Sequence, residues 1–356
     1  MVNWPGVVPG RQETVIHRYR KSPMKKFTPA LLFPLLLLLL NSAPLTAHDW
    51  IGEHIQMIVM GDFEAADSVL RLREERYPRS AKVHFYRASL ENARMDFYET
   101  SLEDSLLLRA ANRTIALCDD SLKRALPTRE QARYHFYRGS VYGFLAMHRG
   151  RAGNYFSAIA DGNRARADLS RAVALDSSLY DAYLGLGSYY YWTSARLSWI
   201  PLWSDRREEG IRMVKTTVDS GRYARRMALH QLVYILLDAG RYDEALSYAR
   251  RGMAETPGSP YMLWALSHVY MKKKDLPLAI KTYQMLDDAL SHLRKPNAHH
   301  RVVCWARLAD MQSRAGECRA ALATIGQIVK DRWYQSRRDD EEIERLMEET
   351  RQRCLP

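Results

Sequence analysis

The side chains here that could bind metal or move protons are histidines, four cysteines and several runs of carboxylates. His299-His300 is the most visible ligand-like pair. Adjacent residues on a helix do not face the same way, and no carboxylate or further His stands at a ligating offset, so no metal site is expected. His230 and Tyr234, and likewise Trp264 and His268, are spaced four apart and share a helix face. That spacing suits a surface as well as it suits a structural histidine. Cys118, Cys304, Cys318 and Cys354 form no C-x-x-C pair, which removes the usual signal for zinc or dithiol chemistry. G-x-S-x-G, H-E-x-x-H and the P-loop are all absent. Glu208-Glu209 and Asp339-Asp340-Glu341-Glu342 sit where helices begin, and the helix dipole is a sufficient reason for acid there. No catalytic residue, metal or cofactor follows from these patterns, and an enzyme ranks third among the readings.

The chain has 356 residues, 47% of them hydrophobic, enough for a continuous core. Residues 1–47 form a separate segment. Met24-Lys25-Lys26 is a basic start, with Met24 the alternative first residue. Ala30–Leu40 is an apolar run, and Leu45-Thr46-Ala47 offers a small residue before a cut. This is the three-part pattern of a secretory signal, and the run is short for a bilayer span. An uncleaved anchor is the alternative. Losing 1–47 removes six Lys/Arg and one Glu, which lowers the formal charge from +12 to +7. Arg222, Arg225 and Arg226 make the densest cluster, and it reads as a solvated helix start. No basic stripe with interleaved aromatics appears, so no nucleic-acid partner is expected.

The elements that must position these residues are helices in a repeating register. Ala245 and Ala279 lie 34 residues apart, as do Leu232 and Leu266, Tyr242 and Leu276, and Ala249 and Tyr283. Tyr183-x-x-Leu186-Gly187-x-x-Tyr190 adds a first-helix pattern, and Ala245-x-x-x-Ala249 with Pro257 a second-helix pattern. Near the start, Gly61 turns the chain, Asp62 caps the next helix, and Ala66, Leu70 and Pro78 repeat the same steps. Together these residues resemble the tetratricopeptide repeat. The resemblance implies an all-α solenoid of about seven helical hairpins across residues 48–335, with a C-terminal capping helix in residues 336–356. Ile343, Leu346 and Met347 make the apolar face of that last helix.

Three departures from the regular spacing are visible. Gly139 to Ala165 carries fourteen extra residues, Gly187 to Gly210 eleven, and Ala279 to Ala321 eight. In the third unit Thr128 is the expected cap and Ala158–Leu175 the expected second helix. The fourth unit's insertion contains Trp199, Ile200, Pro201, Leu202 and Trp203, too apolar for a routine solvated connector. It is expected to pack on the protein, either over the groove end beside Tyr191 and Trp192 or on the long third hairpin, with a membrane interface as the alternative.

In the family the first helix of each hairpin lines a concave groove that holds peptides. Carried over, that groove shows Phe136, Ser140 and Phe144, then Leu184, Ser188, Tyr191 and Trp192. It continues through His230, Tyr234 and Asp238 to Trp264, His268 and Lys272, and ends at Asp310 and Arg314. The competing possibility for any one of these aromatics is core. The resulting expectation is an exported, non-enzymatic scaffold in the cell envelope that binds a polypeptide segment or protein partner. A carbohydrate or cell-wall polymer stacked on the same aromatics is the alternative. Peripheral membrane or cell-wall contact is also open.

One covalent link is expected. Cys318 opens the last repeat's second helix and Cys354 follows the capping helix, so antiparallel packing would bring the sulfurs to one end of the stack. Cys304 lies roughly 16 Å along a helix axis from the hairpin turn, which disfavours it as a partner.

Overall fold

Several helices of this chain start or stop on a residue whose backbone chemistry favours it. The computed structural model describes residues 49–98, 104–197, 204–332, 334 and 341–355. The signal-like segment 1–47 and the Trp199–Trp203 stretch lie outside the described residues. Fifteen helices are described. They are α1 (Trp50–Val59), α2 (Phe63–Arg76), α3 (Ala81–Tyr98), α4 (Asp104–Leu122), α5 (Thr128–Arg151), α6 (Tyr155–Leu175), α7 (Ala182–Leu197) and α8 (Arg207–Ser220). Then follow α9 (Arg225–Asp238), α10 (Tyr242–Glu255), α11 (Pro260–Lys273), α12 (Leu276–Ser291), α13 (Ala298–Arg314), α14 (Cys318–Lys330) and α15 (Glu341–Cys354). They pair as seven antiparallel hairpins, α1·α2 to α13·α14, and α15 packs on α13 and α14. The all-α solenoid of hairpins is the fold.

Asp62 and Asp275 accept a hydrogen bond from the third backbone N–H beyond them, so each second helix starts with one orphan donor satisfied. The turn inside a hairpin needs one left-handed residue. Gly61 (φ 80°), Gly240 (φ 72°) and Gly316 (φ 79°) supply it without steric cost. Lys274 holds the same position one repeat after Gly240, at φ 60°. It is the one non-glycine residue with positive φ among the described residues, and its Cβ makes that turn the strained member of the series.

At the crossing points Ala66, Ala245, Ala279 and Ala321 are wholly buried, as close backbone approach requires. In the fourth hairpin two glycines replace them. A Cβ on Gly187 would lie 2.7 Å from the Gly210 carbonyl oxygen, and a Cβ on Gly210 would lie 2.6 Å from that of Gly187.

The third hairpin absorbs its fourteen extra residues as helix. Both α5 and α6 are lengthened, and only Ala152, Gly153 and Asn154 turn the chain. Consequently α6 begins at Tyr155, not Ala158, because the sequence between them is helix-compatible. Pro127 occupies the cap position and Thr128 is the first helical residue, which corrects the expected cap.

The array also closes on itself. Ser259 Oγ donates to the Val59 carbonyl at 2.6 Å, Tyr261 Oη to that of Ala93 at 3.0 Å, and Asn297 Nδ2 to that of Phe97 at 2.7 Å, all buried. The starts of α11 and α13 are therefore sealed against α1 and α3. One continuous core joins residues of α1–α3 to Tyr261, Leu263, Tyr283 and Leu308. Periodicity read as an open array does not contain this closure.

At the far end Ile343, Leu346 and Met347 of α15 are buried with Val302, Trp305, Ile325 and Ile328. Cys318 and Cys354 form a disulfide with Cα atoms 5.1 Å apart, and Cys304 and Cys118 are buried thiols. Closing a sequence separation of 36 residues removes about 4 kcal/mol of unfolded-chain entropy on the chain-entropy account. Reduction should therefore release α15 first. Amide exchange should show residues 341–354 losing protection under dithiothreitol while α9–α12 keep theirs. Uniform loss would mean that the bond supports the whole array.

Candidate peptide-binding surface

Four of the sequence-predicted residues come together. His230 and Tyr234 project from α9, and Trp264 and His268 from α11, with each side chain half-buried. Tyr234 and His268 are one repeat apart, and the repeat stacks them so that Tyr234 Oη and His268 Nδ1 lie 3.0 Å apart. Across the next interface His268 Nε2 lies 2.6 Å from Arg307 Nη1 on α13. Arg307 Nη2 in turn donates to Glu342 Oε1 on α15 at 2.8 Å. A polar ladder thus crosses four helices in order, α9, α11, α13 and α15.

Its proton positions follow from chemistry. A guanidinium can only donate, so His268 Nε2 accepts. Burial, with Arg307, His230 and Lys272 nearby, pushes the His268 pKa down to about 3, which keeps the ring neutral. The remaining proton is then on Nδ1 and is donated to Tyr234 Oη. Burial alone lowers His230 to about 4. This surface is therefore uncharged at its histidines and fixed in one tautomer.

Aromatic edges extend it. His230 packs against Tyr234 (4.9 Å between centroids) and Tyr261 (5.4 Å). Trp264 meets His268 at 5.7 Å and His300 at 5.6 Å, and His300 meets Phe97 of α3 at 4.9 Å. His300 is thus an aromatic wedge between α3 and α11.

The remaining candidates divide. Phe136 is buried against Phe85 at 5.3 Å, and Phe144 lies parallel to the same ring at 6.4 Å. Phe136 is core, not groove, because α3 packs along α5. Tyr191 is wholly buried too, and its hydroxyl donates to Asp238 Oδ2 at 2.6 Å. Trp192 stands edge-on to Tyr191 at 5.0 Å and half-buried. Trp199 and Trp203 lie outside the described residues. Asp310 is buried in ion pairs with Arg314 at 3.0 Å and Arg353 at 2.5 Å, so it does not face a groove. The eight-residue lengthening between α12 and α13 is not taken up evenly. It sets Arg307, one turn before Asp310, opposite His268. Arg307, Glu342, Tyr261 and His300 stand outside the groove positions that the repeat register names.

A tetratricopeptide-repeat family model matches residues 236–295, which run from the end of α9 through α12. Residues 236–295 therefore carry tetratricopeptide-repeat sequence. Among solved structures, the type IV pilus biogenesis factor PilW is 14% identical, covering 72% of this chain and 98% of its own, with a TM-score of 0.49. YrrB, a TPR protein with an unusual peptide-binding site, is 14% identical over 60% of this chain and 84% of its own, with a TM-score of 0.34. The P58(IPK) TPR domain is 13% identical over 85% and 98%, with a TM-score of 0.29. No curated protein matches. The half-buried Trp192, His230, Tyr234, Trp264 and His268 lie on α7, α9 and α11, and Arg307 and Glu342 on α13 and α15. Among the described residues no helix is long and apolar enough to cross a membrane, and no cluster of three metal-ligating side chains occurs.

Proposed function

We propose that this TPR protein is an exported, non-enzymatic scaffold of the cell envelope. It holds a polypeptide segment against the strip formed by Trp192, His230, Tyr234, Trp264 and His268. The observation that carries this reading is the ladder from Tyr234 through His268 and Arg307 to Glu342. It fixes half-buried aromatic side chains in one conformation before any partner arrives. Such preorganised rings offer large contact area with little rotamer entropy to lose. Export rests on the basic and apolar pattern of residues 24–47, and the Cys318–Cys354 bridge fits an oxidising compartment. The carbohydrate alternative draws less support. Sugar sites want carboxylates beside the rings, whereas Asp238 is held by Tyr191 and Asp310 by two arginines.

The test is crosslinking capture from the native envelope with Trp192→Ala and Tyr234→Phe. Either change should lower recovery of a defined polypeptide roughly tenfold, the effect of about 1.4 kcal/mol, with the helical dichroism unchanged. Recovery equal to the parent chain would end this reading.

A further inference from the structure

The lengthened third hairpin ends in the most exposed apolar surface of the described chain. Phe156 is 91% exposed, Tyr155 68%, Ile159 63% and Met147 47%. A folded chain does not leave four such side chains together in water without a use. Their display follows from local packing. Gly150 on α5 faces Ala158 on α6, and a Cβ on Gly150 would still be 3.9 Å from that of Ala158. Small residues thus keep the two helices together up to the turn, and the large apolar residues are turned outward.

The tip also protrudes. Arg151, the last residue of α5, lies twelve positions beyond the crossing Gly139, which is about 18 Å of helix. In the regular fifth hairpin, Val233 holds the crossing position, twelve before Ala245, and α9 ends only five positions later at Asp238, about 7.5 Å on. The excess is about 10 Å.

Beside the apolar tip lies a band of arginines. Arg149 pairs with Asp161, Arg151 with Asp96, and Arg164 with Asp161 at 3.2 Å, while His148 is half-buried beside them. The two carboxylates do not balance the three guanidiniums, so the band is net positive. The side chains of Arg151 and Arg164 are 55% and 61% exposed.

We propose that this hairpin tip inserts into the interface of an anionic lipid surface. Phe156, Tyr155, Ile159 and Met147 would enter the headgroup boundary, with Arg151 beside them at the tip and Arg164 behind Ile159, both within reach of phosphates. Apolar side chains beside snorkelling arginines are the arrangement that an interface rewards. A tip of four side chains is smaller than the roughly 800 Å² that each partner gives to a stable protein interface, and the arginines beside it match phosphates, so lipid suits it better than a second protein. This inference does not depend on the concave strip.

The test uses a dye at the tip. Cys118 and Cys304 are buried and Cys318 is bridged to Cys354, so a thiol introduced as Phe156→Cys labels selectively. An environment-sensitive dye there should shift to the blue on phosphatidylglycerol vesicles, and far less on phosphatidylcholine. The same dye at Leu72→Cys, on the exposed surface of α2, should not respond. Arg151→Glu with Arg164→Glu should weaken the response at position 156 roughly tenfold. A dye at position 156 that stays in water on anionic vesicles overturns the proposal. A shift that needs a second protein molecule, seen as concentration dependence without lipid, overturns it equally.

Discussion

Gly187→Ala should destabilise this protein by about 2–3 kcal/mol, although alanine is the better helix former. The added methyl would sit 2.7 Å from the Gly210 carbonyl oxygen, 2.8 Å from Met213 Cβ and 3.0 Å from Val214 Cγ2. The first of these is backbone, so relief requires α7 and α8 to part along their whole contact. Parting them would also pull on Tyr191, which stands over Gly210 and holds Asp238. Gly143 provides the contrast. It lies within α5, and a Cβ there meets nothing within 4 Å. Gly143→Ala should therefore stabilise by about 0.5–1 kcal/mol through backbone entropy alone. Urea midpoints of the two variants should move in opposite directions. Equal midpoints, or a stabilised Gly187→Ala, would refute the crossing-point argument.

That crossing was visible in the sequence, because a repeat motif names the position where two backbones approach, and only glycine or alanine fits there. The same logic placed Ala66, Ala245, Ala279 and Ala321 at crossings and Gly61 at a turn. The Cys318–Cys354 bridge was legible too, since hairpin topology fixes which helix ends are neighbours. What periodicity does not contain is contact between distant repeats. Ser259, Tyr261 and Asn297 bind backbone carbonyls of Val59, Ala93 and Phe97, and nothing local in any of these residues announces that. Such closure depends on small twists per repeat summed along the array.

The site was half legible for a related reason. Tyr234 and His268 meet because 34 residues separate them and the repeat is regular there. Arg307 was missed because its long side chain reaches His268 from one turn away, at a position the register does not name. Phe136 and Tyr191 share the motif position of groove residues yet are core, since α3 packs along α5 and Asp238 claims the Tyr191 hydroxyl. Aromatic type and register together cannot distinguish a ring that faces solvent from one that a neighbouring helix covers.

Acid should weaken the fold well before its carboxylates protonate. His54 is wholly buried, and its Nδ1 lies 3.2 Å from the Ala66 carbonyl, to which it donates. Burial lowers its pKa to about 4, with Arg87 acting the same way against the opposing pull of that carbonyl and of Asp67. His230 is lowered to about 4 and His268 to about 3, both chiefly by burial. A histidine whose folded pKa lies below its unfolded value of 6.5 binds more protons when unfolded. Stability is then present in full above 6.5 and is lost as pH falls toward the folded pKa values. Between about pH 7 and pH 5 a fully buried histidine of this kind costs about 2 kcal/mol. The two partly exposed rings should cost about 1 kcal/mol each after allowance for solvent. The sum, about 4 kcal/mol, is a large share of a typical stability. The depressed carboxylates Asp67, Asp168, Glu244 and Glu255 add losses of the same sign at lower pH, beginning in the ordinary carboxylate range, where the unfolded chain takes up protons, and continuing below it. Urea midpoints measured across this window should fall steadily, and His54→Gln, which keeps a donor but cannot charge, should flatten the slope by about half. A midpoint that holds constant down to about pH 5 would mean that these rings reach water, and would remove the neutral His268 on which the ladder depends.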